Sequence, residues 1–148
     1  MNKTIRHSFF YPHPHEVVWT YLTESKLLAK WLMENNFKAE VGHHFYFKTK
    51  PKFKLNFDGH IDCEVLKVVK YRLLSYSWKG GGNTENPKLD SVVTWTLQNK
   101  NHGTVLTLEH RGFEGLKNYP AYFIMNMGWI KIGKRFLANL NQNDRANA

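Results

Sequence analysis

One histidine stands in a segment whose residue types could take part in chemistry, the stretch LTLEHRGFEG at residues 106–115. The first half alternates apolar and polar residues as a strand does, which places His110 on the same face as Leu106 and Leu108. A histidine on an inward face can act as a general base or can offer a ligand one hydrogen bond. No nucleophile stands beside it in the sequence. The pattern therefore favours an interior structural histidine over a catalytic base, and Gly112 is expected to let the chain turn towards a helix.

The other candidates for metal or redox chemistry are weak. His13 and His15 are two residues apart and His43 and His44 are adjacent, whereas a strong zinc motif places two histidines four residues apart on a helix. We interpret them as solvated turn residues and predict neither a metal site nor a cofactor. Cys63 is the only cysteine. It shares its strand parity with apolar neighbours, so it is expected to pack as a small hydrophobic residue.

A run of alternating lysines is the sharpest charge feature of the sequence. Aromatic and apolar residues occupy the alternate positions, so period two places the lysines on the opposite face of the strands. This face is either a solvated surface that discourages edge-to-edge association, which we favour, or a docking surface for an acidic protein or an anionic ligand. The four residues are Lys48, Lys50, Lys52 and Lys54.

Aromatic residues make up 15% of the chain and include five tryptophans. In a sheet wrapped around one helix, side chains on the concave face can either fill the core or leave an aromatic-lined pocket between them. Both interpretations stay open at this point. The candidate wall residues of such a pocket are Trp31, Phe45, Phe47, Trp78, Trp95, His110, Phe113, Met127 and Trp129.

Length and charge restrict the class of protein. A chain of 148 residues fits a single domain over 1–148 with one core. The net charge of +9 favours anionic partners, but no nucleic-acid-binding motif accompanies it, so nucleic acid is not the favoured partner. No apolar run is long enough for a signal peptide or for a membrane span. These features predict a soluble cytoplasmic protein.

The periodicities predict an α+β domain. Residues 5–11 read as a strand, and the spacing of apolar residues over 14–23 and 24–32 indicates two short helices. A long β region follows, in which Pro51 marks a turn, Gly59 marks a bulge or bend and residues 80–88 form a flexible loop. Residues 99–103 carry a hairpin signal, and an amphipathic helix is expected over 121–141, with a frayed tail after it. An antiparallel sheet curved around the last helix hides one apolar face of each element.

These stretches resemble the helix-grip superfamily of START-like and polyketide-cyclase-like proteins. Within it the sequence is most similar to bacterial homologues of the activator of the heat-shock protein 90 ATPase, the Aha-type domain. The resemblance covers nearly the whole chain in order. It rests on HPHEVVWTYLT near the start, W-L at 31–32, G-x-x-F-x-F at 42–47, DCEV at 62–65, LLSYSW at 73–78, VTWTL at 93–97, GTVLTLEHRGF at 103–113 and GW at 128–129.

The resemblance implies a helix-grip fold with a mostly apolar cavity between the sheet and the long helix. The expected function is therefore binding of a hydrophobic small molecule, such as a lipid, a polyketide or a flavonoid-like compound, without turnover. Two alternatives are a chaperone-cofactor module that uses the basic strand face and a cyclase or aromatase-like enzyme. Eukaryotic chaperone activators carry an additional N-terminal domain that is not found in this sequence, and the sequence shows no convergent acid–base set for the enzyme.

Overall fold

The computed structural model describes the backbone of residues 2–50, 59–80, 89–114 and 119–146. Seven strands and three helices lie in these ranges. In chain order they are β1 Asn2–Tyr11, α1 His15–Thr23, α2 Ser25–Trp31, β2 Glu34–Asn35, β3 His44–Lys48, β4 His60–Val69, β5 Leu73–Gly80, β6 Leu89–Lys100, β7 Gly103–Glu114 and α3 Tyr119–Ala146.

The strands form one antiparallel sheet in the order β1-β7-β6-β5-β4-β3-β2, curved around α3. The register pairs Asn2 with Glu114, and Lys48 with His60. It also pairs Gly80 both with Ile61 and with Leu89. The beginning of β1 therefore lies at the same end of the sheet as the ends of β3, β5 and β7. The β4–β5 and β6–β7 turns and the beginning of α1 lie at the opposite end.

The α+β helix-grip prediction is confirmed, and the differences are local. A two-residue strand, β2, was not predicted. The β6–β7 turn is shorter than expected: it consists of Asn101 and His102, with φ of 50° and 62°, the conformation of a two-residue hairpin turn. Helix α3 continues to Ala146, where a frayed tail was predicted. Gly59 has a φ of 84° in a bend just before β4, as expected, while the predicted turn at Pro51 lies outside the described residues.

Gly112 does not turn the chain towards a helix, which corrects the expectation drawn from its position after His110. It lies inside β7, and the register against β1 shifts there, because Lys3 pairs with Phe113 and Thr4 pairs with Arg111. Gly112 is thus the extra residue of a β-bulge, with a φ of 119°, a conformation that glycine adopts readily.

The bulge decides which side chains of β7 face the core. His110 and Phe113 are three residues apart, so a regular strand would place them on opposite faces. The extra residue reverses the alternation, and both side chains are buried, at 0% and 2% exposure. Their ring centroids are 4.8 Å apart.

Helix α3 lies close to the backbone of β1, β7 and α2. One close approach depends on Gly133, where an added Cβ would lie 2.4 Å from the Phe9 ring. The Tyr11 hydroxyl donates to the Gly133 carbonyl oxygen at 2.8 Å. The helix reaches the central strands β5 and β6 through long side chains, and these side chains form the interior described next.

Candidate functional site

An aromatic layer lies between α3 and the central strands. Trp78 on β5 and Trp95 on β6 contact Trp129 of α3, with ring centroids 5.3 and 5.6 Å away. Trp31, at the end of α2, meets Trp95 edge-on at 5.8 Å, and His110 meets Trp78 at 5.6 Å. We use the name aromatic layer for the six side chains of Trp31, Trp78, Trp95, His110, Phe113 and Trp129, all of them buried.

Phe45 and Phe47 extend this layer along β3. Their rings are 5.4 Å apart, and Phe47 lies 5.3 Å from Trp78. Both side chains are buried. Eight of the nine predicted wall residues are therefore brought together, and they contact one another.

Met127 is the exception, and its predicted position in the wall is wrong. Its side chain is 60% exposed. It precedes Trp129 by two residues, which is about 200° around a helix at ~100° per residue, so the two side chains point in nearly opposite directions. With Phe123 and Ile124, which are also exposed, Met127 forms an apolar patch on the outer face of α3, which we call the outer α3 patch.

A chain of hydrogen bonds runs through His110. The Trp129 indole N–H donates to Nδ1 at 3.0 Å. In a neutral imidazole the proton must then be on Nε2, which donates to Ser91 Oγ at 2.8 Å. The Ser91 hydroxyl in turn donates to the Trp78 carbonyl oxygen at 2.7 Å. Both ring nitrogens of His110 are used within the protein.

Burial lowers the pKa of His110 from 6.5 to about 3, because the charged imidazolium loses its hydration in the core. The side chain is therefore neutral at physiological pH. A general base has to offer a free lone pair near the reacting atom, and Nδ1 already accepts the bond from Trp129. The geometry supports the structural interpretation of His110.

Two polar residues of the interior escaped the sequence analysis. Ser91 supplies the link between His110 and Trp78, and the Tyr76 hydroxyl accepts a hydrogen bond from Trp95 Nε1 at 2.9 Å. The signal was available in the parity of the strands. Ser91 lies on the same face of β6 as Val93 and Trp95, and Tyr76 lies on the same face of β5 as Trp78. Both side chains are therefore expected to face inward.

The thiol of Cys63 is buried, and burial together with the nearby Asp62 charge raises its pKa. A thiol that stays protonated is a poor nucleophile and a poor metal ligand. No group of three potential metal ligands occurs among the described residues. His13 is buried, which corrects its interpretation as a solvated turn residue: its Nε2 lies 2.9 Å from Asn141 Oδ1 of α3.

The basic strand face is described only in part. Lys48 and Lys50 are exposed, as predicted, whereas Lys52 and Lys54 lie outside the described residues. Strand β3 lies next to the two-residue β2 at the edge of the sheet. One backbone group of β3 is hydrogen-bonded by a side chain instead of a neighbouring strand: the Tyr46 N–H donates to Asn36 Oδ1 at 2.9 Å.

The architecture and the aromatic interior define a helix-grip protein. Residues 12–141 match the model of the family described as Activator of Hsp90 ATPase homolog 1-like protein. The chain belongs to this family. A search of curated protein sequences finds no match.

Three solved structures show how far the similarity extends. Protein MLL2253 from Mesorhizobium loti is 34% identical, with a TM-score of 0.85 over 95% of this chain and 98% of that one. DynU16, from the dynemicin biosynthetic locus, is 20% identical, with a TM-score of 0.76 over 95% of this chain and 48% of its own. The Aha1 dimer from Colwellia psychrerythraea is 20% identical, with a TM-score of 0.68 over 93% of this chain and 92% of its own. The last two show a shared fold.

Membrane insertion through a helix has no support in the described ranges, because none of the helices there combines the length and the apolar character that crossing a bilayer requires.

Proposed function

We propose that the protein binds a flat, apolar small molecule between α3 and strands β5 and β6, without turning it over. One observation carries the proposal: the helix contacts the middle of the sheet through the rings of Trp78, Trp95 and Trp129. A planar guest could enter such a layer by exchanging ring-to-ring contacts for ring-to-guest contacts, since offset and edge-on aromatic pairs are close in energy. The guest would have to displace existing contacts, so its affinity should be modest, in the micromolar range or weaker.

The chemistry of the interior supports the proposal that the ligand is not turned over. His110 is neutral, and both its nitrogens are engaged. Burial raises the pKa of the Tyr76 hydroxyl, so this group stays protonated. Among the described interior residues there is thus no acid and base poised to exchange a proton with a guest. The cyclase or aromatase-like alternative has no support from these groups.

A ligand screen tests this proposal. At ~100 times its dissociation constant, a guest stabilises the fold by about 2.7 kcal/mol, which raises the melting temperature of a domain of this size by about 5–10 °C. We expect a hit among flat polyphenols, polyketide-like aromatics or sterols, with a change in tryptophan fluorescence. Trp78→Phe removes part of the layer and should weaken a hit about two- to tenfold, the range expected for loss of one aromatic pair.

Trp19→Phe is the matched control, since Trp19 is buried on α1 and its ring lies against Tyr71, away from the layer. This variant should leave the affinity of a hit unchanged. The proposal fails if no compound raises the melting temperature by a degree. It also fails if both variants weaken a hit equally.

A second candidate function is binding to an acidic partner protein, and the outer α3 patch favours it. Phe123, Ile124 and Met127 are 53%, 44% and 60% exposed, and exposed apolar residues clustered on one helix face are typical of interaction sites. The net charge of +9 selects a partner with an acidic surface. The family description supports a chaperone ATPase of the heat-shock protein 90 type as that partner.

An ATPase assay with a purified chaperone of this type tests the second candidate. The double variant Ile124→Ser/Met127→Ser should bind the chaperone at least tenfold more weakly, because it removes the apolar centre of the patch. Lys48→Gln/Lys50→Gln should weaken binding less, and added salt should mimic that effect. Val41→Ser/Leu66→Ser, at two exposed apolar positions elsewhere, is the control. If the native protein neither binds the chaperone nor changes its ATPase rate, this candidate is wrong.

A further inference from the structure

A basic groove lies at the end of the sheet opposite to the beginning of α3. One cavity, of about 600 Å³, is lined by the β4–β5 turn, the end of β6 and the beginning of α1. A second, of about 390 Å³, continues it along the β6–β7 turn and shares His15, Asn99 and Lys100 with the first. The first has a size typical of small-molecule sites. Its lining residues are His15, Lys70, Tyr71, Arg72, Leu97, Gln98, Asn99 and Lys100.

Three permanent positive charges converge on this groove. Lys70, Arg72 and Lys100 line it, and no acidic residue does. None of the three forms an ion pair within the described part of the chain; the nearest carboxylate on α1, that of Glu16, lies 3.0 Å from His15 Nε2. Like charges around a concave surface raise its potential and attract anions. An anion in the groove would interact favourably with all three cations.

Tyr71 gives the groove a fixed aromatic wall. It is the third residue of a turn closed by the Arg72 N–H, which donates to the Val69 carbonyl oxygen at 2.9 Å. Its φ is 68°, where glycine or asparagine is usual and a bulky residue is strained. The ring is held edge-on against His15 and Trp19, with centroid distances of 5.5 and 6.3 Å.

The Lys70 ammonium lies over the Tyr71 ring, 5.1 Å from its centre, so a ligand that stacks on this face takes the place of the ammonium. The groove therefore combines the Tyr71 ring, which can stack on a flat ligand, with the cations Lys70, Arg72 and Lys100. Leu97 also lines the groove, but it belongs to the core and is only 6% exposed. Arginine favours phosphate because its planar guanidinium donates two parallel hydrogen bonds.

We propose that this groove binds an anionic small molecule in which an aromatic ring is joined to phosphate groups, the chemistry of a nucleotide. The ring of the ligand stacks on Tyr71 in place of the Lys70 ammonium, and the phosphates lie between Arg72 and Lys100. The site is independent of the aromatic layer and of the outer α3 patch, and it assigns a role to basic residues outside the alternating lysines at 48–54.

Calorimetric titration of the full chain with three probes tests the assignment, together with backbone amide shifts read by NMR. Adenosine diphosphate carries both the ring and the phosphates, pyrophosphate carries the charge alone, and adenosine carries the ring alone. We expect adenosine diphosphate to bind at least tenfold more tightly than either of the other two, with shifts at residues 70–72 and 97–102. Higher salt should weaken the binding.

Variants separate the contribution of the ring from that of the charge. Arg72→Gln/Lys100→Gln should weaken the binding of adenosine diphosphate at least tenfold. Lys48→Gln/Lys79→Gln is the control, because it removes the same charge at exposed positions near the other end of the sheet, and it should change the affinity less than twofold. Tyr71→Asn suits the left-handed turn and keeps it closed. It should weaken the binding of adenosine diphosphate and leave the affinity for pyrophosphate unchanged.

Three results would overturn the proposal. The first is equal affinity for adenosine diphosphate and pyrophosphate, which would show that no ring is bound. The second is an equal loss of affinity in the two charge-removing double variants, which would indicate general attraction to a basic protein. The third is binding of a single-stranded oligonucleotide with no measurable binding of adenosine diphosphate, which would assign the groove to a polymer.

Discussion

Gly112→Ala is expected to destabilise the protein by about 3–5 kcal/mol. A Cβ at this position would lie 2.7 Å from the Asp90 carbonyl oxygen and 2.8 Å from Ser91 Cα, and the φ of 119° is unfavourable for alanine. Backbone strain of ~1–3 kcal/mol and the cost of overpacking, also ~1–3 kcal/mol, together give about 2–6 kcal/mol. We expect a value near the middle of this range. The measurement is chemical denaturation, with an accompanying fall of about 10 °C or more in melting temperature.

Gly128→Ala is the control for this experiment. Gly128 lies within α3, and an added Cβ there meets no atom within 4 Å. The same substitution should therefore stabilise the protein by about 0.5–1 kcal/mol, the usual gain from replacing glycine inside a helix. If the free energy of unfolding of Gly112→Ala lies within 1 kcal/mol of that of the native protein, β7 has no such bulge. The account of how His110 and Phe113 reach the same face is then wrong.

Acid should destabilise the protein through His110. The folded-state pKa of about 3 lies below the value of 6.5 expected in the unfolded chain. Above pH 6.5 the imidazole is neutral in both states and has no effect on the pH dependence. Between pH 6.5 and about 3 only the unfolded state gains the proton, so the free energy of unfolding falls by ~1.4 kcal/mol per pH unit. From pH 6.5 to pH 5 the loss from this residue is about 2 kcal/mol.

The comparison of variants isolates this contribution. His110→Asn keeps an acceptor for the Trp129 indole and cannot take up a proton, so this part of the pH dependence should disappear, although the variant is less stable at pH 7. His102→Asn changes an exposed histidine in a turn whose φ of 62° asparagine tolerates. In this variant the free energy of unfolding should change with pH as steeply as it does in the native protein. Equal slopes for the native protein and His110→Asn below pH 6.5 would show that His110 is protonated in the folded state.

The amino-acid pattern alone was enough to predict the order of the elements and most of the inward-facing residues. Strand alternation identified Trp78, Trp95 and His110, because the period of two is a property of the backbone. Helical spacing and order along the chain then required a sheet covered by the last helix, since each element has one apolar face to bury. The same reasoning placed Lys48 and Lys50 on the solvent face, where the structure has them.

The contacts between distant segments depend on how the folded elements pack, and no local pattern predicts them. No local pattern indicates that Gly112 is a bulge, because the bulge exists only in the register against β1. Helical spacing separates Met127 from Trp129 by about 200°, but only the rotation of α3 against the sheet decides which of the two is buried. The basic groove brings together Lys70, in the β4–β5 turn, and Lys100, at the end of β6, which are 30 residues apart in the chain. Such a juxtaposition depends on how the strands pair, which residue types and spacing alone do not specify.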